Sequence, residues 1–336
     1  MHAVVLVGGF GTRLRPLTEQ IPKPMLPIGH VPMVERLVRR LARGGVTDVV
    51  LALGFNPEPF LAAFPDGRCG DVALTYAVEP EPLDTGGAIR FAALSAGIGS
   101  TFVVANGDVM TDLDVGALVD SHRSRSAEVT IHLTGVDDPS AFGVVGLVDA
   151  QNGAGRVDQF VEKPDPGKEP SNLINAGTYV FEPTVLDRIP ADVRVSIERN
   201  TFPALAAAGS VHGLATDDYW IDAGVPDLYR AANLDLLGGG RIHDSCEAVA
   251  PEATVDPGAT VMNTIVGSGA VIEAGTTVVD TVVLPGAFIG ARAQVEASLV
   301  MGRVEADATV IEAIIGADGV VAEGDHLAFD TMPPTA

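Results

Sequence analysis

Val4–Pro27 has the sequence VVLVGGFGTRLRPLTEQIPKPMLP, in which a short apolar run leads into a glycine-rich, cationic loop. The apolar residues Val4–Val7 are typical of a buried strand in a parallel sheet. The glycines that follow leave backbone N–H groups open to an anion, because no side chain stands in the way. Arg13, Arg15 and Lys23 add positive charge, and prolines on both sides of Lys23 stiffen its backbone. The stretch therefore predicts a strand that leads into a phosphate-binding loop.

The loop does not match two common phosphate-binding patterns. The Walker pattern needs a lysine directly after its last glycine, and no lysine follows these glycines at that spacing. The dinucleotide pattern G-x-G-x-x-G requires a third glycine where this chain has Leu14. A glycine-rich turn by itself would also fit an ordinary strand-to-helix connection. The cations at Arg13 and Lys23 favour phosphate binding over that alternative.

The segments GGFGTRLRPLT, residues 8–18, and PKPMLP, residues 22–27, closely resemble the opening of the sugar-1-phosphate nucleotidyltransferases, also called NDP-sugar pyrophosphorylases. The resemblance extends through further motifs to about residue 233. It implies an α/β fold with a Rossmann-like, mostly parallel sheet. It also implies catalytic roles for Arg13 and Lys23, and contacts to the nucleotide from a set of residues near the strand end: Leu6, Gly8, Gly9, Gly11 and Thr12.

Composition and charge restrict the classes of partner. The chain has 336 residues, 47% of them hydrophobic, which is typical of a globular protein. Its formal net charge of −23 argues against nucleic acid and anionic membranes as partners, since both attract basic surfaces. A local basic cleft and a divalent cation would still allow a phosphorylated substrate. We expect a cytoplasmic protein, because Cys69 and Cys246 stand far apart, no signal peptide is evident and no apolar run approaches about 18 residues.

The first third of the chain alternates strands and helices. The predicted strands are Val49–Leu53, Val72–Val78 and Thr101–Ala105, and the predicted helices are Pro32–Arg43, Glu58–Phe64 and Gly86–Ala96. Such alternation indicates a mostly parallel α/β sheet, whose ligands bind beyond the carboxyl ends of the strands. Gly8, Glu79 and Asp108 each follow a predicted strand. We therefore expect these three residues to meet at one edge of the sheet.

The middle of the chain is richer in strands. Strands are predicted at Val129–Leu133, Gly143–Val148, Arg156–Val161, Ala176–Phe181 and Val211–Ala215, and helices at Ser196–Ala208 and Pro226–Leu237. The composition then changes at Gly238-Gly239-Gly240. We predict a nucleotidyltransferase domain over residues 1–238, a second domain over residues 239–328, and a disordered tail over residues 329–336.

The second predicted domain contains an internal repeat. Copies begin at Ile265, Val282, Leu299 and Ile314, after a partial copy at Val249, Val255 and Val261. In the first two copies equivalent residues recur every six positions, at Ile265, Val271 and Thr277 and at Val282, Phe288 and Gln294. This spacing is typical of a hexapeptide-repeat left-handed β-helix, whereas a β-sandwich would alternate with period two. Stacked coils leave ends that often serve in assembly, so we expect a homo-oligomer.

Asp108 and Asp222 are the candidate metal ligands. Each lies at or beside the end of an apolar strand, with a glycine nearby. Mg²⁺ prefers one or two carboxylates together with phosphate oxygens and water. An aspartate beside a glycine is, in isolation, more often a turn residue. The resemblance favours Mg²⁺, because both positions match those where the family carries its two metal-binding aspartates.

The motif FVEKP, residues 160–164, resembles the family motif that binds sugar and sugar phosphate. Without the resemblance, its Glu-Lys pair would be an ordinary surface ion pair. The resemblance implies that Glu162 accepts hydrogen bonds from sugar hydroxyls and that Lys163 binds the sugar phosphate. Four further residues resemble positions of the sugar pocket: Asn106, Gly143, Asn175 and Gly177.

Two segments bear on the choice of nucleotide. Glu79, with Gly86 and Gly87, resembles the segment that contacts the base. The sequence PLDTGGA differs from the family there, because Asp84 stands where the family usually has glycine, and the base and ribose contacts stay open at this point. The stretch SIERNTFP, residues 196–203, is similar to that of mannose-1-phosphate guanylyltransferases and favours GTP.

The implied reaction joins a nucleoside triphosphate to a sugar 1-phosphate and releases pyrophosphate, with GTP and mannose 1-phosphate as the expected pair. The sugar phosphate is already largely dianionic at neutral pH, since its second pKa is about 6, so no protein base is required. Catalysis would rest on positioning and charge stabilisation. Arg13 would stabilise the leaving pyrophosphate, Lys163 the attacking phosphate and Lys23 the nucleotide.

Three alternatives stay open from the sequence. The same chemistry could use dTTP or UTP with glucose 1-phosphate or a sugar-like cyclitol phosphate. A hexapeptide acyltransferase would generally need a histidine on the coils, and the repeats from Val249 to Asp325 contain none. A non-catalytic nucleotide-sugar sensor is disfavoured because every charged motif residue is present.

Overall fold

The computed structural model describes residues 1–54, 56–238 and 245–333 and divides into two compact units. The first unit comprises Met1–Gly9 and Val34–Trp220, and the second comprises Phe10–Met33 and Ile221–Ala336. The chain passes from one unit to the other after residues 9, 33 and 220. The domain boundary that the sequence predicts at residue 238 stays a prediction.

The helices are α1 Met33–Arg43, α2 Glu58–Ala63, α3 Asp84–Ser95, α4 Val115–Arg125, α5 Phe202–Ala207 and α6 Pro226–Leu234, with short 3₁₀ turns at Thr12–Leu14, Lys23–Met25 and Pro183–Arg188 and a π-helical turn at Ile197–Thr201. The strands up to residue 222 are β1 His2–Leu6, β2 Pro27–Ile28, β3 Val31–Pro32, β4 Asp48–Leu53, β5 Arg68–Cys69, β6 Val72–Val78, β7 Phe102–Asn106, β8 Val109–Thr111, β9 Val129–Gly135, β10 Gly143–Gln151, β11 Ala154–Glu162, β12 Leu173–Phe181, β13 Val211–Ala215 and β14 Trp220–Asp222. The predicted strands and most predicted helices are therefore confirmed, with ends that differ by a few residues.

The sheet of the first unit has the strand order β10-β11-β13-β9-β12-β7-β1-β4-β6-β5. Strands β7, β1, β4 and β6 are parallel neighbours, and Val4 lies between Val50 and Val104. These strands are nearly all apolar because helices cover both faces of such a sheet. Beyond β7 the order becomes mixed, since β12 runs antiparallel to both β7 and β9. The predicted Rossmann-like α/β class is confirmed.

The parallel part of the sheet brings three predicted site residues to one edge. Gly8 follows β1, Asp108 follows β7 and Glu79 follows β6. The backbone N–H of Glu79 donates to the carbonyl of Leu53 at 2.8 Å, which continues the ladder one residue past the strand. Because neighbouring parallel strands end on the same side of a sheet, the prediction that these residues share an edge is confirmed.

Helix α4 is an element that the sequence analysis does not predict. The Asp114 carboxylate caps its first turn by accepting the N–H of Ala117 at 3.1 Å. Its buried His122 reaches the sheet, with Nδ1 2.9 Å from the Thr130 hydroxyl and Nε2 3.1 Å from the Glu182 carboxylate. Burial lowers the pKa of His122. Val115, Leu118 and Val119 share its buried face at helical spacing, so the sequence does carry an apolar signal for this helix.

The predicted helix Ser196–Ala208 is two elements rather than one. A π-helical turn covers Ile197–Thr201 and α5 covers Phe202–Ala207. Pro203 lies in the first turn of α5 and has no N–H group, so it cannot continue an α-helical ladder from the preceding turn. The Ser196 side chain caps the π-helical turn by accepting the N–H of Arg199. The proline therefore separates the two elements.

One side of the first unit's core joins the sheet to α3 and α5. The α3 residues Ile89 and Ala92 are fully buried against sheet residues such as Val104. Aromatic rings extend this core, with the Tyr179 and Phe202 ring centroids 5.1 Å apart and those of Phe160 and Phe202 5.2 Å apart. Such tilted pairs stabilise a core beyond their buried area. The rings form a rigid base below β11 and β12.

The C-terminal part of the second unit is a three-sided parallel β-helix, as predicted. Its strands are β15 Thr254–Val255, β16 Thr260–Met262, β17 Ile265–Val266, β18 Val271–Ile272, β19 Thr277–Val279, β20 Val282–Val283, β21 Phe288–Ile289, β22 Gln294–Glu296, β23 Leu299–Val300, β24 Arg303–Val304, β25 Thr309–Ile311, β26 Ile314–Ile315, β27 Val320–Val321, β28 His326–Ala328 and β29 Thr331–Met332. They form three five-stranded parallel sheets. The hexapeptide pattern and these sheets fit a left-handed β-helix.

The inward-facing residues of the β-helix lie one position after the column that the sequence singles out. Thr277 and Gln294 are exposed, whereas Val278 and Val295 are buried. Successive side chains of a strand point to opposite faces, so the residue that begins each short strand faces outward or toward a corner and the next one fills the core. The six-residue period is confirmed, and the structure places the core-facing residue one position after the recurring column.

The third full coil is shorter than its neighbours. Equivalent strands begin at Ile265, Val282, Leu299, Ile314 and Thr331, and the interval from Leu299 to Ile314 is the short one. The missing residues come from one corner, because only Met301 and Gly302 separate β23 from β24. A Cβ on Gly302 would approach the carbonyl oxygens of Gly316 and Gly319 far inside van der Waals contact. The fourth coil therefore lies directly against the backbone of the shortened corner.

The chain end differs from the predicted disordered tail. Strand β29, Thr331–Met332, pairs in parallel with Ile314–Ile315, and Met332 packs against the apolar core of the β-helix. That apolar contact explains why this part of the predicted tail is ordered. The last residues of the predicted tail, 334–336, lie outside the described part of the chain. Among the helices of the described residues, none has both the length and the apolar character needed to cross a bilayer.

Candidate functional site

The predicted site residues are distributed over both units. The first unit holds the residues predicted for the base and the sugar together with one metal candidate: Leu6, Gly8, Gly9, Glu79, Gly86, Gly87, Asn106, Asp108, Gly143, Glu162, Lys163, Asn175 and Gly177. The second unit holds the cationic part of the loop and the other metal candidate: Gly11, Thr12, Arg13, Lys23 and Asp222.

Gly8 is at a point where two backbone segments come together. A Cβ added to Gly8 would lie 2.9 Å from the backbone nitrogen of Gly54, which follows β4. The next strand end is equally tight, because a Cβ on Gly107 would lie 2.7 Å from the Leu6 carbonyl oxygen. Gly9 has nothing within 4 Å of such an atom. The strand end at Gly8 is thus closely packed, and the backbone at Gly9 is open.

Glu79 is a buried carboxylate at the end of β6. It accepts the backbone N–H of Leu83 at 2.8 Å, which closes the connection into α3. Burial raises the pKa of Glu79, the hydrogen bond from Leu83 opposes that shift, and the Asp84 charge adds to it. One carboxylate oxygen therefore fixes the connection that carries Gly86 and Gly87.

Gly86 and Gly87 are glycines because α3 begins against another backbone. Gly86 donates its N–H to the Val195 carbonyl at 2.7 Å, and a Cβ there would lie 2.9 Å from that same oxygen. A Cβ on Gly87 would lie 2.7 Å from the Leu83 Cβ. The Gly-Gly pair thus joins α3 to the segment before the π-helical turn.

Asp84, where the family usually has glycine, has the left-handed backbone that glycine favours. Its φ is +61°, and its own carboxylate accepts the N–H of Thr85 at 2.8 Å. Aspartate is one of the few residues that tolerate this conformation, because its short side chain can bond locally. The substitution therefore keeps the same chain path, with a carboxylate added beside Glu79.

A bulge in β12 arranges the residues predicted for the sugar pocket. The register with β9 shifts between Asn175 and Tyr179, and Gly177 within the bulge has φ +74°. Asn175 accepts the N–H of Gly177 and donates its amide to the Tyr179 hydroxyl at 2.9 Å. A Cβ on Gly177 would lie 2.9 Å from the Asn106 amide nitrogen. Bulges of this kind redirect side chains beside functional sites.

Asn106 and the bulge therefore lie together, as the resemblance implies. Within the described residues, the buried Asn106 Oδ1 has no hydrogen-bond partner. A buried amide oxygen without a partner is unfavourable unless a ligand or solvent supplies a donor. Tyr179 is a residue that sequence reasoning missed: its buried hydroxyl fixes Asn175, and an aromatic residue on an apolar strand gives no sign of that role.

Gly143 and Glu162 are direct cross-strand partners in β10 and β11. A Cβ on Gly143 would lie 2.9 Å from the Glu162 carboxylate and 2.7 Å from the Phe160 ring, so only glycine leaves Glu162 its position. Burial raises the pKa of Glu162, the Glu198 charge raises it further, and Lys163 and Arg199 oppose the shift. Lys163 follows the strand and is exposed.

Glu198, in the π-helical turn, is a second residue that sequence reasoning did not assign. Its carboxylate accepts hydrogen bonds from the Thr85 hydroxyl at 2.7 Å and the Ser196 hydroxyl at 2.8 Å. The Thr85 hydroxyl oxygen also accepts the N–H of Ile197. Glu198 thus joins the start of α3 to the π-helical turn, and its own charge acts on Glu162. The motif similarity at residues 196–203 marked this stretch without showing the link.

In the second unit, three charged groups converge on Gly224. A Cβ on this glycine would lie 2.6 Å from Asp222 Oδ1, 2.7 Å from an Arg13 guanidinium nitrogen and 2.8 Å from Lys23 Nζ. Lys23 is buried, and its Nζ lies 3.9 Å from Asp222 Oδ1. Residues about 200 positions apart in the sequence therefore form one cluster. Gly224 is essential to this packing and was noted in the sequence only as the neighbour of Asp222.

The loop that carries Arg13 and Lys23 is closed by its own contacts. Gly11 has φ +61°, and a Cβ there would lie 3.0 Å from the Lys23 side chain and 3.1 Å from that of Thr18. The Thr18 hydroxyl donates to the Gly11 carbonyl at 2.8 Å. Glycine at position 11 thus serves both the left-handed backbone and the close packing of the loop.

The carboxylates of Asp108 and Asp222 are suited to a divalent metal that also contacts phosphate. No group of three or more His, Cys, Asp or Glu side chains suited to a metal occurs in residues 1–54, 56–238 and 245–333. Mg²⁺ does not need such a cage, because one or two carboxylates suffice when phosphate oxygens and water complete the shell. The Asp222 carboxylate has about four acceptor positions and can serve a metal as well as Lys23. The chemistry of Asp108 and Asp222 fits Mg²⁺ bound together with a nucleotide.

Two family models match the chain: "Nucleotidyl transferase" over residues 2–238, and "GlmU-like, C-terminal hexapeptide" over residues 246–333. The chain therefore belongs to the nucleotidyl transferase family, whose members bind a nucleoside triphosphate and a sugar phosphate and generally use a divalent metal. The fold class and the enzyme class that the sequence indicated are confirmed.

Relatives of established name narrow the comparison. The chain is 42% identical to the mannose-1-phosphate guanylyltransferase of Mycobacterium tuberculosis, over 80% of this chain and 76% of the relative. It is 39% identical to the mannose-1-phosphate guanyltransferase of Schizosaccharomyces pombe, over 78% of this chain and 73% of the relative. The two alignments, of 280 and 270 residues, are each longer than the segment that the nucleotidyl transferase model matches, residues 2–238.

Solved structures agree on the fold. HddC from Yersinia pseudotuberculosis is 30% identical with a TM-score of 0.58 and covers 69% of this chain and 97% of its own. A UDP-glucose pyrophosphorylase complexed with UDP-glucose has a TM-score of 0.61 over 69% of this chain and 96% of its own. At 19% identity, the second likeness concerns the fold alone.

The cluster at Gly224 gives a direct prediction. Gly224→Ala places a methyl group among Arg13, Lys23 and Asp222, so these groups must separate, and we expect nucleotidyl transfer to fall about ten- to hundredfold. Gly99→Ala is the matched control, because nothing lies within 4 Å of a Cβ there. Pyrophosphate release measures both variants. Equal activity in the two would show that the spacing of the cluster is unimportant.

Proposed function

We propose that this protein transfers guanylyl from GTP to mannose 1-phosphate, with GDP-mannose and pyrophosphate as products. The observation that carries the proposal is the convergence of Arg13, Lys23 and Asp222 on Gly224. Two cations and a carboxylate are the groups that hold a triphosphate and its metal. The names of the relatives from Mycobacterium tuberculosis and Schizosaccharomyces pombe support this pair of substrates.

The reaction is an in-line displacement at phosphorus. A phosphate oxygen of the sugar 1-phosphate forms a bond to the α-phosphorus of the triphosphate. The bond from the α-phosphorus to the oxygen that bridges to the β-phosphate breaks, and pyrophosphate carries away that electron pair. The attacking phosphate needs no proton removed, since its second pKa is about 6. Rate enhancement then depends on holding two anions in line and on offsetting their charge.

The charged residues of the chain divide between the two anions. Arg13 and Lys23 belong to the nucleotide, where Arg13 stabilises the charge that develops on the leaving pyrophosphate. Lys163 binds the attacking phosphate, and Glu162 accepts hydrogen bonds from sugar hydroxyls. Asn106, Gly143, Asn175 and Gly177 complete the sugar pocket. We assign the nucleotide contacts to Leu6, Gly8, Gly9, Gly11, Thr12, Glu79, Gly86 and Gly87.

Asp108 and Asp222 would hold Mg²⁺ together with the nucleotide. When bound, the metal neutralises phosphate charge. The negative charge of Asp222 also stabilises the positive charge of Lys23, because the Asp222 Oδ1 lies 3.9 Å from the lysine Nζ. The two roles are compatible, since a carboxylate can accept from several partners at once. A cytoplasmic location and a homo-oligomeric state stay predictions.

Pyrophosphate release tests the function. GTP, dTTP, UTP, ATP and CTP are each combined with the 1-phosphates of mannose, glucose and N-acetylglucosamine, with and without Mg²⁺. We expect release above all with GTP, mannose 1-phosphate and Mg²⁺. Preference for another pair, or for a cyclitol phosphate, would keep the chemistry and overturn the substrates. Nucleotide binding without turnover would support the sensor, and acetyl transfer to a sugar phosphate the acyltransferase.

Removing single charges tests the assigned roles. Arg13→Ala, Lys163→Ala and Asp222→Ala should each lower turnover by about a hundredfold or more, which is usual when a donor to the transition state is lost. Lys168→Ala and Arg292→Ala are charge-matched controls, because both side chains are exposed and pair with neighbouring aspartates. Turnover near that of the unchanged enzyme in any of the first three variants would remove that residue from the mechanism.

The like charges of Glu162 and Glu198 predict a pH effect. Because the pKa of Glu162 is raised, this carboxylate gains a proton at a higher pH than an ordinary glutamate, and the KM for mannose 1-phosphate should rise as pH falls through that range. Glu198→Gln removes a like charge, so the rise in KM should move to lower pH. Lys163 and Arg199 oppose the shift and are unchanged in this variant.

Glu169→Gln, at a partly buried position, is the control for this measurement, because Glu169 is not among the groups that shift the pKa of Glu162. The sugar phosphate titrates identically with every variant, so its own protonation cancels in the comparison. A Glu198→Gln profile that coincides with that of Glu169→Gln would show that Glu162 does not govern the acid limb.

A further inference from the structure

A corner of the β-helix contacts the loop that carries Arg13. The corner is Gly316–Gly319, between β26 and β27, and it is called the fourth-coil corner below. A Cβ on Gly316 would lie 2.7 Å from Pro16 Cβ and 2.9 Å from Pro16 Cγ. The Gln20 amide donates to the Asp318 carboxylate at 2.7 Å. Nearly 300 residues separate these partners in the sequence, and all belong to the second unit.

Glycine at position 316 is required by the loop and not by the β-helix. The equivalent position is Leu284 after β20 and Met301 after β23, so two coils accept a large side chain there. It is also a glycine after β17, where a Cβ on Gly267 would meet the backbone of the next coil. Gly316 has no left-handed φ that would itself favour glycine. The three atoms nearest to a Cβ at this position all belong to Pro16. The absence of a side chain therefore makes room for Pro16.

The backbone of two neighbouring coils holds the fourth-coil corner. In the shortened corner of the third coil, Gly302 approaches the carbonyl oxygens of Gly316 and Gly319. The Gly316 N–H also donates to the Met332 carbonyl at 2.7 Å. A side chain at position 316 would therefore displace Pro16 more easily than it would displace the corner. Close-packed backbone transmits strain rather than absorbing it.

The loop, in turn, transmits a displacement of Pro16 to Arg13. Leu14 and Leu17, on either side of Pro16, are fully buried. The Leu17 N–H donates to the Leu14 carbonyl at 3.0 Å, and the Leu14 N–H to the Gly11 carbonyl at 3.0 Å. Pro16 is itself a rigid ring that cannot rotate aside. The segment from Gly11 to Leu17 therefore behaves as one body that presents Arg13.

We propose that the fourth-coil corner is a positioning element for the nucleotide loop, with Gly316 and Asp318 as positioning residues. The corner sets where Pro16 lies, and Pro16 sets where Arg13 stands relative to Lys23 and Asp222. The β-helix thereby contributes to catalysis without touching substrate. This inference rests on the proposed function for the role of Arg13.

The test compares Gly316→Ala with Asp325→Ala, an exposed change in the same β-helix. Pyrophosphate release is measured with GTP, mannose 1-phosphate and Mg²⁺, together with the melting temperature of each variant. We expect Gly316→Ala to lower kcat about ten- to hundredfold, because a displacement near 1 Å has that effect. The KM for mannose 1-phosphate should stay within about twofold, since the loop does not carry the sugar contacts. Asp325→Ala should match the unchanged enzyme in every parameter.

The hydrogen bond supplies a second, milder test that holds if Gly316→Ala fails to fold. Gln20→Ala and Asp318→Ala should each lower kcat by a few fold, and the double variant should lose no more than the worse single one, because both remove the same contact. The backbone N–H groups of residues 12–20 should exchange hydrogen faster in Gln20→Ala, in Asp318→Ala and in the double variant than in the unchanged enzyme. Asp325→Ala should show no such increase.

The outcomes separate the two proposals. An unchanged enzyme that releases no pyrophosphate with any substrate pair would overturn the proposed function, whatever the variants do. An active enzyme whose Gly316→Ala variant keeps its kcat, or whose kcat falls only in proportion to folded protein, would overturn the positioning role alone. Additive losses in the double variant would equally show that Gln20 and Asp318 do not act through their contact.

Discussion

A buried ammonium group is the constraint around which the second unit's part of the site is arranged. Lys23 is only 7% exposed, and an isolated charge at that depth would be strongly destabilising. Asp222, whose Oδ1 lies 3.9 Å from the lysine Nζ, offsets that charge, and the bare backbone of Gly224 lets Arg13 join them. The cations are therefore fixed before any substrate arrives. Preorganised charge of this kind needs no rearrangement during the reaction, which is why it is effective in catalysis.

Glycines in the first unit also fix polar groups in place, because each leaves a space that a side chain would fill. Gly143 leaves space for the Glu162 carboxylate, Gly177 permits the bulge that joins Asn175 to Tyr179, and Gly86 allows α3 to begin against the Val195 carbonyl. In each case a methyl group would lie under 3 Å from a neighbouring atom. The polar side chains are thus held by close backbone approaches, and their supports are rigid strands rather than mobile loops.

The strong negative charge of the chain and its anionic substrates are reconciled by local placement. The formal net charge is −23, yet Arg13 and Lys23 stand together on one short loop. At a few ångströms these cations outweigh distant carboxylates, whose effect solvent and salt screen. Glu162 acts in the other direction, because burial and the like charge of Glu198 keep its pKa raised at a position that we propose for sugar binding. Local geometry, and not net charge, decides what such a site attracts.

The sequence by itself determined the alternating strands of the parallel sheet and the six-residue period of the β-helix, and it supplied the charged residues of the proposed site. These follow from local apolar patterns and from motifs whose members are close in the chain, such as the loop from Gly8 to Lys23 and the FVEKP segment. The sequence analysis did not predict α4, although Val115, Leu118 and Val119 are spaced as on one face of a helix, and it did not predict the division of Ser196–Ala208 at Pro203. The missing N–H donor of a proline leaves no mark on an apolar period.

Only the tertiary structure decided which residues face the core and which neighbours stabilise the site. The β-helix core lies one residue after the column that the repeat displays, because a strand's two faces look alike in a sequence until one is buried. The roles of Gly224, Tyr179, Glu198 and Gly316 depend on partners up to 300 residues away. A glycine shows its purpose only when the atom that would collide with its side chain is known, and that atom is fixed by the fold.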